Sequence, residues 1–405
     1  MSILNQKQKS QFYKDGFLVV KHAVSAPLID SARACLDAAG QHSFQDPVLE
    51  TSDEFCDLIN KSDLDPILRE AMGPFSPVTR GFAATIFPSA TAALGQNGES
   101  LPTRQKRPHN SSELHLDGES IYEVDPTTGD YPLDGPPSAE RLDANRTPFF
   151  VDPAKTISLC SFSVFIGICL SDQSEPDRGN LVVLKGAHHH CQEFFREQDR
   201  QGGPIGPDGP GWPRVMRNPE NGQWDYAPNA AIQYAIKQNP ELLAAATKQG
   251  TIYVPEPHQV LMEPGDAVFV MHAVPHGGSY NSWTEPRMNI YFRLVHEKRM
   301  INHKEKHVTG RSDHMVRGWN GEFLEAKDGL APDAVYETTR MSLLDHWSEW
   351  DGMIETVKEG QAKLKFEARR NSLETSYRNY IDSQTFENEC FSMVIRHPPR
   401  STQSI

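Results

Sequence analysis

The sequence has no apolar run of about 18 residues, the length that a membrane-spanning helix needs, so no transmembrane helix is expected. It also lacks paired cysteines. Cys35, Cys56, Cys160, Cys169, Cys191 and Cys390 are scattered, with no C-x-x-C among them. Several sit in apolar runs, and the set reads as reduced, mostly buried thiols of a cytoplasmic protein. Basic charge is in deficit. With 54 acidic residues against 40 basic and a net charge of −14, neither general nucleic-acid binding nor an anionic membrane surface is expected. The opening MSILNQKQKS has no apolar core of a secretory signal, and the closing Gln403-Ser404-Ile405 does not match the peroxisomal Ser-Lys-Leu address. No internal repeat and no low-complexity tract interrupts the chain.

What is present describes a soluble globular protein, 38% hydrophobic and 23% charged. A length of 405 residues has room for two domains, although all-β barrels and sandwiches often run this long as one. Gly16 to Val20 reads as a short strand. Ser25 and Pro27 then mark a helix start, with Ile29, Ala32 and Leu36 at helical spacing. Residues 49–72 and 230–248 pattern as helix, while Arg80 to Phe87, Thr251 to Val254 and Gln259 to Met262 pattern as strand. Ile157 to Leu170 is almost continuously apolar and rich in β-branched and aromatic residues, as in a central strand buried on both faces. Three insertions rich in turn residues, 96–112, 123–156 and 198–229, break this pattern, and loops of such length are usually functional or disordered.

The chemistry concentrates in Glu113-Leu114-His115-Leu116-Asp117-Gly118. In a strand, His115 and Asp117 project from one face and offer an imidazole and a carboxylate side by side. One more histidine would complete the two-histidine, one-carboxylate set that holds ferrous iron. Downstream, His276 is the candidate and His272 its rival. Arg287 follows, with a planar fork suited to gripping a carboxylate at two points. The run His188-His189-His190-Cys191 invites a zinc reading. Neighbours on a strand point to opposite faces, however, so the triple would not converge on one ion, and His188 alone is left as a residue of the pocket mouth.

In ordered sequence, these pieces resemble the phytanoyl-CoA dioxygenase family of iron(II)/2-oxoglutarate oxygenases. Residues 12–20 resemble its opening, Gly179 to His188 its Gly-x-Leu…Pro-Gly-Ser-His element (with Lys185 and Ala187 at the Pro and Ser positions), residues 264–269 the strand before the distal histidine, and residues 287–292 the closing strand. The likeness selects His276 over His272, because Gly277, Gly278 and Asn281 follow it and Arg287 stands at the usual offset. It implies a mainly β fold with flanking helices, built on a double-stranded β-helix, the jelly-roll core of cupin-like proteins. It implies iron(II) on His115, Asp117 and His276, and 2-oxoglutarate reaching Arg287, with Asn289 on the same strand face as a further contact. Dioxygen is the oxidant, and a small organic molecule the substrate. An aspartate at 117, where halogenating relatives carry Ala or Gly, implies hydroxylation or a related oxidation.

The likeness spans residues 10–296 and suggests an oxygenase domain over 1–296. Residues 297–405 turn charged and helical, with Leu343, Leu344, Trp347, Trp350, Ile354 and Val357 at helical spacing, and read as an extension packed on the same domain. Covering the barrel and joining two copies as a homodimer both stay open for it. Two other classes also stay open: a cupin-like metal enzyme without 2-oxoglutarate, which leaves Arg287 without a task, and a catalytically silent jelly-roll binding protein, which leaves the ligand trio without one.

Overall fold

A computed structural model describes residues 4–40, 47–88, 114–116, 162–201, 205–206, 210–211, 230–248, 251–252, 255–294, 296–297, 343–367 and 369–370. The insertions over 96–112 and 123–156, most of that over 198–229, and the expected strand over 157–161 lie outside them. The chain divides into two units, Met1–Ile354 and Glu355–Ile405. In the second, the described residues are helical.

The first unit opens with α1 (Gln6–Asp15), which the apolar pattern did not announce. Its start is a capping box in which the Asn5 side chain accepts from the Gln8 backbone and the Gln8 side chain from the Asn5 backbone. Gly16, left-handed at φ 79°, ends the helix and turns the chain into β1 (Phe17–Val20). Helices α2 (Ala26–Ala38), α3 (Pro47–Glu50), α4 (Asp53–Asn60) and α5 (Leu64–Ala71) follow and bury Ile29, Leu36, Phe55, Leu58 and Leu68. Strands β2 (Phe82–Ile86), β3 (Val164–Cys169) and β4 (Leu181–Val183) come next, then α6 (Ala187–Arg200), α7 (Ala230–Gln238) and α8 (Pro240–Ala246). The unit's last strands are β5 (Thr247–Lys248), β6 (Thr251–Ile252), β7 (His258–Gln259), β8 (Ala267–Met271), β9 (His276–Gly278) and β10 (Arg287–Leu294). Helix and strand are mixed rather than strand dominating.

The larger sheet has the order β1-β8-β3-β10-β2, and a smaller one the order β7-β4-β9, with every neighbouring pair antiparallel. Strands β3 and β10 lie inside the larger sheet and are buried at every position, which explains why β3 reads as unbroken apolar sequence. The Gly265-Asp266 turn brings β8 to β1. Gly265 has φ 93°, and a Cβ there would stand 2.7 Å from the Val24 carbonyl oxygen, so the turn requires glycine. The fully buried Asp266 carboxylate accepts from Lys21 Nζ at 2.7 Å, from the His22 amide at 2.9 Å and from the Glu263 amide at 2.7 Å.

Helix α6 departs from the sequence reading, which kept His188–His190 in extended chain. Gly186 at φ 73° breaks away from β4, and burial at Ala187, His188, Cys191, Phe194, Phe195 and Gln198 follows one helical face. His188 does not reach a pocket mouth. It is fully buried, and its Nε2 lies 3.0 Å from the Tyr13 carbonyl oxygen, which His189 Nε2 also meets at 2.9 Å. Residues 343–354 complete this region. The rings of Trp347 and Trp350 pack edge-on against Phe12 at 5.3 and 5.0 Å, and Glu349 accepts a 2.6 Å hydrogen bond from Ser163.

The histidine pair has a measurable consequence. Burial, then the neighbouring imidazoles of His189 and His346, hold His188 well below its ordinary range; burial takes His189 down to about 4. Both are neutral in the folded protein and take up protons in the unfolded chain from about pH 6.5 downward. Stability is therefore present above pH 6.5 and falls as the pH drops toward 4, by on the order of 3 kcal/mol from His189 alone at 1.36 kcal/mol per pH unit. Urea midpoints measured between pH 7 and 4 should fall, and His189→Gln should flatten the profile; a variant with the wild-type slope would exclude this pair as the cause.

Candidate active site

His276 opens β9, and His115 joins it by an isolated antiparallel bridge, each amide donating to the other's carbonyl oxygen at 3.0 Å. The two imidazole rings stand 4.6 Å apart, close enough to share one ion. His276 is buried and His115 is exposed, so the pair is open on one side. His276 Nδ1 lies 2.9 Å from the Val274 carbonyl oxygen. A carbonyl only accepts, so Nδ1 carries the proton and Nε2 keeps its lone pair, the arrangement that orients a metal-binding histidine. Asp117 lies outside the described residues. The rival, His272, is fully buried against the Phe162 ring at 4.7 Å and takes no part in the bridge to His115.

Arg287 begins β10 beside β2, and side chains at 287, 289, 291 and 293 share one face of the strand. Arg287 is 5% exposed, yet among the described residues no carboxylate pairs with it. Its Nη1 donates to the Ala84 carbonyl at 3.2 Å and to the Tyr291 hydroxyl oxygen at 3.3 Å, and its Nε is buried with no partner among the described residues. The Nε–Nη2 edge, the one that grips a carboxylate at two points, is thus unfilled. A buried, uncompensated cation is costly and calls for an anion. Gly278 has no side chain, and a Cβ there would lie 3.6 Å from Arg287 Nη2.

Phe165 links the two halves, its ring 4.9 Å from His276 and 5.3 Å from Tyr291. Asn289 is fully buried. It accepts from Gln173 Nε2 at 2.7 Å and donates to Gln173 Oε1 at 3.4 Å and to the Tyr291 hydroxyl at 3.1 Å. Burial holds the Cys169 thiol on this face far above its ordinary range, so it is an inert filler. Sequence reading missed Tyr291 and Gln173, and used Gly278 only as a marker of His276. Alternation from Arg287 through Asn289 pointed at Tyr291; nothing in the sequence distinguished Gln173.

The chain is similar to solved structures of HygX from Streptomyces hygroscopicus. With nickel and 2-oxoglutarate bound, HygX matches at 15% identity over 71% of this chain and 85% of that one, with a TM-score of 0.35. SnoK, a non-heme alpha ketoglutarate dependent carbocyclase from nogalamycin biosynthesis, matches at 13% identity over 71% and 83%, with a TM-score of 0.35. AviO1 from Streptomyces viridochromogenes Tue57 matches at 12% identity over 72% and 94%, again at 0.35. No family model and no curated protein matches the sequence. The functional reading rests on the side chains of the site.

Proposed function

We propose that this chain is a non-haem iron(II)/2-oxoglutarate-dependent dioxygenase on a jelly-roll core. It hydroxylates, or otherwise oxidises, a small organic molecule while 2-oxoglutarate is decarboxylated to succinate and carbon dioxide. One observation carries the reading: a buried arginine that, among the described residues, has no acid and leaves its carboxylate-gripping edge unfilled, on the sheet face whose Phe165 touches a paired histidine. The donors described fit the groups. Two imidazoles 4.6 Å apart, one with its lone pair fixed outward, suit a divalent metal, and Asp117 would supply the carboxylate.

His115, Asp117 and His276 would hold iron(II), which would supply the oxidising chemistry that 2-oxoglutarate and dioxygen drive. The protein binds and orients. Val274 holds the His276 ring in place. Arg287 neutralises the far carboxylate of the co-substrate, which would otherwise be buried unpaired. Phe165 and the Tyr291 ring wall this space with apolar surface and keep water from it. His276 and Gly278 project from the same face of β9, about 7 Å apart along the strand, roughly the reach of a five-carbon diacid. The aspartate at 117 favours hydroxylation over halogenation.

Gly278→Ala tests that placement. The new methyl would meet the movable Cδ1 of Ile86 at 2.8 Å and sit 3.6 Å from Arg287 Nη2, in the space assigned to the carboxylate. Affinity for 2-oxoglutarate should fall by roughly tenfold, about 1.4 kcal/mol, with iron binding retained. Unchanged affinity in a calorimetric titration would move the co-substrate elsewhere. The reaction class is tested by turnover: succinate should form in step with substrate oxidised. A metal enzyme independent of 2-oxoglutarate, or a silent binding protein, would form none.

A further inference from the structure

We infer that His188 is a positioning residue for His276, acting through the Val274 carbonyl that receives the His276 Nδ1 proton. This rests on His276 as a metal ligand and not on the identity of any co-substrate. The connection starts at the end of α1, where the last carbonyls of a helix have no partner within it. Here the Phe12 oxygen accepts from the Gly16 amide at 2.9 Å and the Asp15 oxygen from the Gly186 amide at 3.0 Å. The Tyr13 oxygen is met by His188 Nε2 at 3.0 Å and His189 Nε2 at 2.9 Å. Gly16 carries the chain of bonds onward. Its oxygen accepts from the Met271 amide at 2.9 Å, and the Met271 oxygen from the Val274 amide at 3.0 Å. The Leu184 amide donates to the Pro275 oxygen at 2.9 Å. The link from β8 to β9, residues 272–275, is thus pinned by α1 on one side and β4 on the other. Its Val274 carbonyl then meets His276 Nδ1 at 2.9 Å.

His188 and Val274 meet in the space that Gly16 leaves. A Cβ on Gly16 would stand 2.5 Å from His188 Nδ1, 2.9 Å from its Cε1 and 2.5 Å from Val274 Cγ2, so ring edge and methyl together fill the volume a side chain would take. Both residues are fully buried. A carbonyl only accepts, so the His188 proton sits on Nε2 toward Tyr13, and Nδ1 is left bare. That atom has no hydrogen-bond partner among the described residues. The imidazole is therefore used in two ways. One edge bonds the end of α1; the other presses on Val274. A valine is stiff at χ1, and a close-packed interior passes a displacement on rather than absorbing it. Holding the methyl thus holds the backbone of Val274, and with it the carbonyl that orients His276. Loss of the outer partner of a metal-bound imidazole lowers metal affinity by roughly 10- to 100-fold. His188 acts one contact farther out, so its effect belongs at the lower end.

The test compares His188→Ala and Val274→Ala with Leu58→Ala, a buried position on α4 that serves as a control for lost stability alone. Two readouts are taken at a temperature where circular dichroism shows the proteins folded. One is the dissociation constant for iron(II) alone, measured anaerobically. The other needs no metal: the His276 imidazole N–H resonance of 15N-histidine-labelled protein, identified by its absence in His276→Ala. His188→Ala should bind iron roughly tenfold more weakly and lose that resonance to exchange with water. Val274→Ala, which withdraws the methyl and keeps the carbonyl, should bind iron roughly threefold more weakly or worse, and it carries the test if His188→Ala does not fold. Leu58→Ala should melt earlier yet keep both readouts. Iron affinity within twofold of wild type in either site variant, or an unchanged His276 resonance, would overturn the role of His188 and leave the metal reading intact. An equal loss in Leu58→Ala would also overturn it, because it marks general loosening of the fold. Wild-type protein that binds no iron would overturn the metal reading itself, and this inference with it.

Discussion

Arg287→Ala should raise the apparent dissociation constant for 2-oxoglutarate roughly 100- to 1,000-fold or more while leaving iron binding in place. Two charge-assisted hydrogen bonds are lost, each worth roughly 1.5 to 3 kcal/mol. The far carboxylate is also left buried without its cation, so the total should be on the order of 3 to 5 kcal/mol, at about 1.4 kcal/mol per decade of affinity. The free protein should not suffer in proportion. Arg287 is 5% exposed and makes two hydrogen bonds and no ion pair among the described residues, so its removal relieves a buried charge while deleting some packing. Thermal stability near that of wild type, beside a collapsed affinity, would mark a ligand-binding arginine. Arg287→Lys should rescue in part, because an ammonium supplies charge without the planar fork. Affinity within threefold of wild type in Arg287→Ala would make the residue structural.

The second large effect belongs to the metal. His115→Ala, Asp117→Ala and His276→Ala should each abolish iron binding or turnover, while His272→Ala keeps most of both. The structural contrast is direct for the histidines. His276 faces the His115 ring at 4.6 Å with its Nδ1 proton committed to the Val274 carbonyl, whereas His272 packs on Phe162. Iron retained by His276→Ala and lost by His272→Ala, measured by metal content after dialysis, would reverse the assignment.

Legibility in the sequence followed burial on both faces and turn chemistry. Strand β3 is buried throughout and spelled itself as a hydrophobic run; β10 carries Arg287, Asn289 and Tyr291 at alternate positions, so the shared face could be read directly. The Gly265-Asp266 turn needs a residue without Cβ beside Val24 and a buried acceptor for three donors, and both letters appear. Helix α1 was missed because it buries little beyond Phe12, Tyr13 and Asp15, so its signal was the Asn5–Gln8 cap and not a periodic face. Helix α6 was missed because three consecutive histidines drew attention to ligand chemistry, although one helical face of buried residues runs through them. The contact of His115 with His276 depends on a bridge between residues distant in sequence, which spacing can suggest but not place. The orphaned Nε of Arg287, and the closed hydrogen-bond set around Asn289, are facts of three-dimensional packing that no local pattern encodes.

The central claim is that one site holds a divalent iron and a 2-oxo diacid together. Anaerobic addition of iron(II) and then 2-oxoglutarate to the wild-type protein tests it most directly, read as the visible charge-transfer band that the two develop only in contact. The account predicts a saturable band with both present and none with either alone. It also predicts no band in His276→Ala, and in Arg287→Ala a midpoint shifted at least 100-fold upward, on the order of 3 kcal/mol. Iron bound at full stoichiometry with no band at any 2-oxoglutarate concentration would contradict it.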